Sequence, residues 1–132
     1  MHKSRLYLIA IDVHDLDRSF RFWCKALNGT LDTSDKNDEM VCRRIKLPGS
    51  NTGLFLKKVR EKTHSLSHVH LDIASDNIEA EKNRLEKIGA KPIRFIDDFE
   101  NSYYVMEDPD KNIFCIVTPE HKSVFDTANI WD

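Results

Sequence analysis

Apolar and polar positions follow two different periods along this chain, and each change of period marks a predicted element. Residues 5–13 are mostly apolar strand formers, which predicts a largely buried strand. From Leu16 to Leu27 the apolar positions recur every three or four residues, which predicts an amphipathic helix. Asp15 is placed to cap the start of this helix, and Gly29 is placed to end it.

The same order of elements recurs in the second half of the chain. Three predicted strands complete the first half, at residues 30–34, 40–47 and 53–59. The second half is predicted to contain a strand, a helix capped by Asp76 and three strands, at residues 67–74, 78–89, 91–96, 102–107 and 113–118. An offset of 60 places Asp12 and Gly29 on Asp72 and Gly89. Because a small open sheet cannot bury both of its faces alone, this repeat predicts that the two halves share one domain.

Length and charge limit the classes of protein that this chain can represent. A chain of 132 residues fits a single domain, with module one at about residues 5–59, module two at about 67–118 and a tail at 119–132. An apolar content of 40% supports a folded core. A net charge of −2 gives no general attraction to nucleic acid or to anionic membranes, so we expect neither as a partner. The basic run at residues 57–62 is typical of a solvated loop.

The cysteines indicate a reducing compartment. Cys24, Cys42 and Cys115 are odd in number and have no CxxC spacing, so a disulfide framework is not expected. The apolar run near the start of the chain is too short for a secretory or membrane-spanning segment. These features together predict a cytoplasmic protein.

Several short motifs, in order along the chain, resemble those of glyoxalase and bleomycin-resistance proteins. Residues 15–23 (DLDRSFRFW) resemble the D-L-x-R-S-x-x-F-[YW] signature that opens the first helix. Residues 88–90 (IGA) resemble the L-G-A that closes the second helix, and residues 108–112 (DPDKN) resemble the D-P-D-G-N turn before the last strand. His70-Leu71-Asp72 and Phe114-Cys115 resemble the glyoxalase-like branch. The chain is therefore similar to the vicinal oxygen chelate superfamily over nearly its whole length.

This resemblance implies an α+β fold. Two βαβββ modules would form a U-shaped mixed sheet, with helices on its convex side and a small-molecule cleft on its concave side. Alternation along the strand at residues 67–74 then separates its two faces. The apolar residues at positions 69, 71 and 73 are expected to pack on the helices, which leaves His68, His70 and Asp72 facing the cleft.

The resemblance also implies where a metal would bind. Relatives that hold a metal take one ligand, usually His or Glu, from the first and the last strand of each half. The first-half positions fall on Leu8 and about Leu54, which have no donor atom. The second-half positions fall on His68, or His70 with a two-residue change of register, and on Cys115. We therefore expect the usual metal site to be absent, which argues against glyoxalase I and extradiol dioxygenase chemistry. A different metal site built from second-half residues stays open, and the sequence names no cofactor.

Two classes of function are compatible with these residues. One is an enzyme of unassigned lyase or isomerase reaction, with acid–base chemistry from His68, His70 and Asp72. The other is a non-catalytic protein that sequesters a small molecule, as bleomycin-resistance relatives do. In either class, the contacts with the ligand are expected from Leu8, Leu54, Cys115 and one of Tyr103 and Tyr104. The sequence does not identify the ligand.

Two further expectations concern the cleft and the tail. Arg43 and Arg44 face opposite ways on a strand, so one of them is expected to face the cleft and to bind an anionic group. The segment after His121 carries several apolar residues, which predicts that it docks on a surface rather than extending into solvent. We expect a homodimer, or at least a tail that packs on its own domain.

Overall fold

The computed structural model describes residues 1–34, 39–60, 68–98 and 101–132. Its elements are β1 (His2–Val13), α1 (Leu16–Leu27), β2 (Thr30–Leu31), β3 (Cys42–Lys46), β4 (Gly53–Lys58), β5 (Val69–Ser75), α2 (Ile78–Lys87), β6 (Lys91–Asp98), β7 (Asn101–Glu107), β8 (Ile113–Val117), a short 3₁₀ helix (Lys122–Thr127) and β9 (Asn129–Trp131). The predicted α+β class is confirmed. Lys62 of the basic run, together with His64, lies outside the described residues.

The chain divides into two compact units that share one topology. The N-terminal unit is Leu8–Val69, and the C-terminal unit combines Met1–Tyr7 with His70–Asp132. In the N-terminal unit the strand order is β2-β3-β4-β1, with β1 and β4 parallel and the other pairs antiparallel. In the C-terminal unit the order is β6-β7-β8-β5, with β5 and β8 parallel. The predicted repeat of strand, helix and three strands is therefore confirmed.

Helix α1 begins and ends where the pattern predicts, but the left-handed residue at its end is a different one. The Asp15 carboxylate accepts a hydrogen bond from the Arg18 backbone N–H at 3.0 Å, and this bond lowers the pKa of Asp15. The left-handed residue at the end of the helix is Asn28 (φ 55°), so the prediction of Gly29 there is wrong. Gly29 is needed for another reason, because a Cβ atom at this position would lie 2.5 Å from Cγ2 of Ile45.

Helix α2 is capped by Asn77, so the prediction of Asp76 as the cap is wrong. The Asn77 side chain accepts a hydrogen bond from the Ala80 N–H at 3.0 Å. Asp76 instead accepts a hydrogen bond from the Lys3 backbone N–H at 2.7 Å. This bond holds the start of β1 next to the residues that precede α2. The two helix caps lie 62 residues apart (77 − 15) rather than the 61 between the predicted caps Asp15 and Asp76 (76 − 15).

Each unit has its own apolar core under its helix. The core of the N-terminal unit contains Val13, Leu16, Ile45, Leu54 and Leu56, and Phe20 and Trp23 of α1 pack against it. The core of the C-terminal unit contains Leu85, Met106 and Ile116, and Ile73, Tyr104 and Phe114 pack against it.

The apolar face of β5 is only partly covered by its helix. Ile73 packs on the helix side as predicted. Val69 and Leu71 are exposed, so the prediction that they pack on a helix is wrong. The reason is the position of α2, which packs mainly over β6, β7 and β8 and leaves the start of β5 uncovered.

The C-terminal tail docks on the C-terminal unit. Strand β9 pairs antiparallel with the start of β1, with Trp131 opposite His2. The Trp131 indole N–H donates a hydrogen bond to Ser4 Oγ at 2.8 Å, and the Arg84 guanidinium lies 3.8 Å from the indole ring centroid. The predicted packing of the tail on its own domain is confirmed. Among the described residues, no helix is long and apolar enough to cross a bilayer.

Candidate functional site

The candidate site lies on the face of the C-terminal unit that is turned away from α2. Strands β5 and β8 run parallel, with Ile73 beside Ile116 and Asp72 beside Cys115. Because Ile73 and Ile116 pack in the core under α2, alternation places Asp72 and Cys115 on the opposite face. His70 lies two residues before Asp72 and shares its face. We call His70, Asp72 and Cys115 the polar cluster.

The side chains of the polar cluster converge. One nitrogen of His70, one carboxylate oxygen of Asp72 and the sulfur of Cys115 all lie within 4.8 Å of one another. His70 Nε2 lies 3.4 Å from Asp72 Oδ1. Asp72 is only 9% exposed, and its Oδ1 atom finds no hydrogen-bond partner among the described residues. His70 and Cys115 are half-buried, so a small molecule or an ion in solvent has access to the cluster.

Of the two tyrosines predicted for the ligand site, only Tyr103 lies on the face of the polar cluster. Tyr104 packs in the core under α2, and its hydroxyl donates a hydrogen bond to Glu79, which raises the pKa of Tyr104. Of the two alternatives, Tyr104 is therefore the one that does not face the polar cluster. Tyr103, the adjacent residue on β7, points to the opposite face by alternation.

Two residues on the same face were missed by the sequence interpretation. Glu107 lies on β7 opposite Ile113, and Arg94 lies on β6 opposite Val105, which itself pairs with Cys115. Alternation along β7 from Tyr103 would have found Glu107. The pattern could not have found Arg94, because a register shift between Pro92 and Arg94 interrupts the alternation of β6.

Leu8 and Leu54 belong to the N-terminal unit, and only Leu8 lies on the predicted face. Leu54 pairs with Ile9 and packs in the core under α1, so its assignment as a ligand contact is wrong. Phe55, beside Ala10, lies on the face shared with Leu8. Neither leucine nor phenylalanine has a donor atom, so these residues do not fit the metal ligands of the family's usual site.

The remaining polar candidates also lie in the N-terminal unit. His68 Nδ1 is 3.9 Å from Asp12 Oδ2, and the Asp12 N–H donates a hydrogen bond to the His68 carbonyl at 3.0 Å. Arg43 lies on the α1 side, where it pairs with Asp17 at 2.7 Å. Arg44 pairs with Phe55 across β3 and β4 and therefore lies on the face turned away from α1.

The helix caps decide which histidine occupies the predicted ligand position. Leu8 lies seven residues before the cap Asp15, and His70 lies seven residues before the cap Asn77. The structural equivalent of Leu8 is therefore His70 rather than His68. The two-residue change of register that the sequence allowed is the one that the structure adopts.

A sequence profile of the glyoxalase-like domain matches residues 8–117. The chain belongs to the glyoxalase-like domain family. It is thereby a member of the vicinal oxygen chelate superfamily, as its motifs indicated. No protein of curated function matches the sequence.

Solved structures share the fold of this glyoxalase-like chain at low sequence identity. Methylmalonyl-CoA epimerase from Mycobacterium tuberculosis is 18% identical, with a TM-score of 0.65 and 89% of each chain covered. The Streptomyces coelicolor methylmalonyl-CoA epimerase in complex with 2-nitronate-propionyl-CoA is 16% identical, with a TM-score of 0.63 and coverage of 89% of this chain and 98% of that one. A glyoxalase/bleomycin resistance protein/dioxygenase superfamily member from Vibrio splendidus is 14% identical, with a TM-score of 0.59 and coverage of 88% and 99%. At these identities the likeness shows the fold.

Proposed function

We propose that this protein is an enzyme of isomerase or lyase type that converts a small molecule at the polar cluster. The convergence of His70, Asp72 and Cys115 on one half-buried sheet face is the observation that carries the proposal. Side chains that pack only for stability seldom place a nearly buried carboxylate oxygen without a hydrogen-bond partner. Polar side chains that converge in an accessible site are typical of catalysis.

The proposed reaction has one step that isomerases and lyases share, the removal of a proton from a carbon next to a carbonyl group. This step needs a group that stabilises the negative charge on the carbonyl oxygen and a base that accepts the proton. We assign the first role to the polar cluster, where the His70 ring can donate a hydrogen bond and its Nε2 lies 3.4 Å from the Asp72 carboxylate. The second role goes to Glu107, which lies on the same face.

The substrate class follows from the other residues of this face. Arg94, Val105, Cys115 and Asp72 form one row across four strands. Neighbouring strands lie about 4.8 Å apart, so the Cα atoms of Arg94 and Cys115 are about 10 Å apart. The Arg94 guanidinium can therefore bind an anionic group of a substrate whose carbonyl lies at the cluster. We propose a small carbonyl compound that carries a carboxylate or a phosphate.

The family comparisons support this class of reaction. Two of the similar structures are named methylmalonyl-CoA epimerases, and an epimerase inverts the configuration of one carbon atom. Such an inversion next to the thioester carbonyl of a CoA ester would pass through the proton-removal step described above. Acyl-CoA esters that carry a carboxylate are therefore the first compounds to test.

Exchange of hydrogen for deuterium tests the proposal without knowledge of the product. The protein is incubated in D₂O with carboxylated acyl-CoA esters, 2-keto acids and sugar phosphates, and mass spectrometry follows deuterium incorporation at carbon. We expect incorporation into at least one compound, and loss of at least about 100-fold in rate for His70→Asn and Glu107→Gln. His14→Asn, which changes an exposed histidine of the N-terminal unit, is the matched control and should exchange at the wild-type rate.

Two outcomes would overturn the proposed function. One is the absence of exchange with every compound. The other is an exchange rate in His70→Asn equal to that of the wild type. Tight binding of a compound without exchange would instead favour the sequestering role.

A further inference from the structure

The polar cluster has the geometry of an incomplete metal coordination shell. Its three donor atoms lie within 4.8 Å of one another and come from the neighbouring parallel strands β5 and β8. A tetrahedral zinc ion with bonds of about 2.0–2.3 Å holds its donors about 3.5 Å apart. Rotation of the half-buried His70 and Cys115 side chains would close the difference of about 1 Å.

A second observation points to a bound cation. Asp72 is 9% exposed, and its Oδ1 atom has no hydrogen-bond partner among the described residues. The contact of Oδ1 with His70 Nε2, at 3.4 Å, is not a hydrogen bond. A buried carboxylate oxygen without a partner costs the full desolvation of that group. A divalent ion beside Oδ1 would remove this cost.

The types of donor atom select the class of metal. A thiolate is a soft ligand, which favours zinc and its cobalt substitute over magnesium and calcium, whereas imidazole and carboxylate suit zinc as well. Three protein ligands leave one position of a tetrahedral ion open, which is the arrangement of catalytic zinc sites.

We propose that His70, Asp72 and Cys115 bind one divalent ion of the zinc class. The set differs from the family's usual four ligands, because it draws on the C-terminal unit alone, uses a thiolate and adds Asp72 two residues after His70. The inference rests on the proposed function for the location of the reactive centre and adds its cofactor. A bound zinc ion would supply the positive charge that stabilises a substrate oxygen.

Cobalt spectroscopy of the full chain tests this site directly. Protein stripped of metal by a chelator under reducing conditions is titrated with Co²⁺, and the absorption spectrum is recorded. We expect a near-ultraviolet band from charge transfer between the thiolate and cobalt, visible bands of four-coordinate cobalt, saturation at one ion per chain, and loss of these bands when Zn²⁺ is added. Zn²⁺ should also raise the melting temperature.

Single substitutions separate the proposed ligands from other residues of the same type. Cys115→Ser should abolish the charge-transfer band. Asp72→Asn and His70→Asn should weaken cobalt binding by more than about 100-fold, because loss of a residue that only hydrogen-bonds to a metal ligand costs up to roughly that much. Cys24→Ser, Cys42→Ser and His68→Asn are matched controls that should keep the band and the affinity. Circular dichroism verifies that each variant folds.

Three outcomes would overturn the metal site. These are no charge-transfer band in the wild type, a band that persists in Cys115→Ser, and equal cobalt affinity in the wild type and Asp72→Asn. The two proposals fail separately. Deuterium exchange that needs His70, in a protein that shows no cobalt charge-transfer band, would refute the metal site alone. Stoichiometric cobalt binding without exchange would refute the enzymatic role alone.

Discussion

The buried carboxylate of Glu81 bonds to residues from distant parts of the C-terminal unit. Glu81 is 0% exposed, and its carboxylate contacts His2 at 2.8 Å and Arg84 at 2.7 and 3.0 Å. Burial raises the pKa of Glu81, but hydrogen bonds from Arg84, Ser4 and His2 outweigh it, so the pKa is lowered overall. The carboxylate therefore stabilises the fold in its ionised form.

Replacing Glu81 should destabilise the protein. In Glu81→Gln the neutral amide cannot accept both hydrogen bonds of Arg84, and we expect the free energy of unfolding to fall by about 2–3 kcal/mol. Urea titration at neutral pH measures this change. Glu86→Gln, on the exposed side of α2, is the matched control and should stay within about 0.5 kcal/mol of the wild type. Equal stabilities of the two variants would contradict this account of Glu81.

The contribution of Glu81 should also depend on pH in a defined direction. Because its pKa is lower in the folded state, the stabilisation is fully present above the unfolded pKa of about 4.3 and is lost as the pH falls through the folded pKa. The stability difference between the wild type and Glu81→Gln should thus be constant at neutral and weakly acidic pH and shrink below about pH 4. Urea titrations at several pH values measure it. A difference that grows in acid would contradict this sign.

Gly29 offers a test of close packing rather than of backbone conformation. A methyl group there would lie 2.5 Å from Cγ2 of the fully buried Ile45, so we expect Gly29→Ala to cost about 1–3 kcal/mol by overpacking. Asn28→Gly keeps the left-handed end of α1 and should leave stability nearly unchanged. Thermal unfolding of the two variants measures both changes in stability. If Asn28→Gly proves the more damaging change, the end of the helix does not depend on these residues as described.

Errors of the sequence interpretation at single residues came from neighbours of similar chemistry. Asp76 and Asn77 are both good helix caps, and only the hydrogen bond from Lys3, 73 positions away, removes Asp76 from that role. Asn28 and Gly29 both tolerate the left-handed conformation, but only Asn28 adopts it. Glycine is needed at position 29 because a Cβ atom there would contact Ile45 of β3. Local pattern gives the place of a helix end to within one residue, but a distant contact selects the residue.

At the scale of elements, the period of the pattern predicted both α-helices and strands β1 to β8, but not the 3₁₀ helix or β9 of the tail. The face of each strand was harder to predict. Alternation placed His70 and Asp72 together correctly, because β5 carries both apolar and polar positions. It could not choose between Tyr103 and Tyr104, or find Leu54 in the core, because both β7 and β4 carry apolar residues on consecutive positions. Which face of a strand packs in the core depends on its neighbouring strands, and the sequence does not identify these neighbours.

Strand β9 should contribute measurably to stability through Trp131. In Trp131→Ala the hydrogen bond to Ser4 and the stacking on Arg84 are both lost, and we expect a loss of about 2 kcal/mol, roughly half that of a core tryptophan because the ring is half-buried. Trp131→Phe keeps the stacking and should lose only about 1 kcal/mol. Urea titration gives both values, and hydrogen exchange at residues 2–4 should accelerate in Trp131→Ala. Unchanged exchange there would argue against docking of the tail.

At the scale of the whole molecule, the repeat in the sequence predicted the shared topology of the two units, because both follow the same periods of apolar residues. The division of β1 could not be predicted in this way. Its first residues, up to Tyr7, belong with the C-terminal unit, and the contacts of His2, Lys3 and Ser4 with α2, its cap region and β9 account for this. These contacts join residues more than 70 positions apart, and no local pattern encodes them.

The outermost strand of the C-terminal unit is the surface on which we base the predicted homodimer. Strand β6 ends the strand order, runs for eight residues, and exposes about half of Ile93 and of Phe95. A long edge strand with exposed apolar side chains can pair with a second copy of itself. Light scattering should therefore give twice the monomer mass of 15.4 kDa.

Two substitutions test whether β6 forms the interface. Ile93→Lys places a charge at the bulge of β6 and should yield a folded monomer. Met40→Lys, at an exposed position of the N-terminal unit, should remain dimeric. A monomeric wild type at all concentrations would refute the dimer, and a dimeric Ile93→Lys would move the interface away from β6.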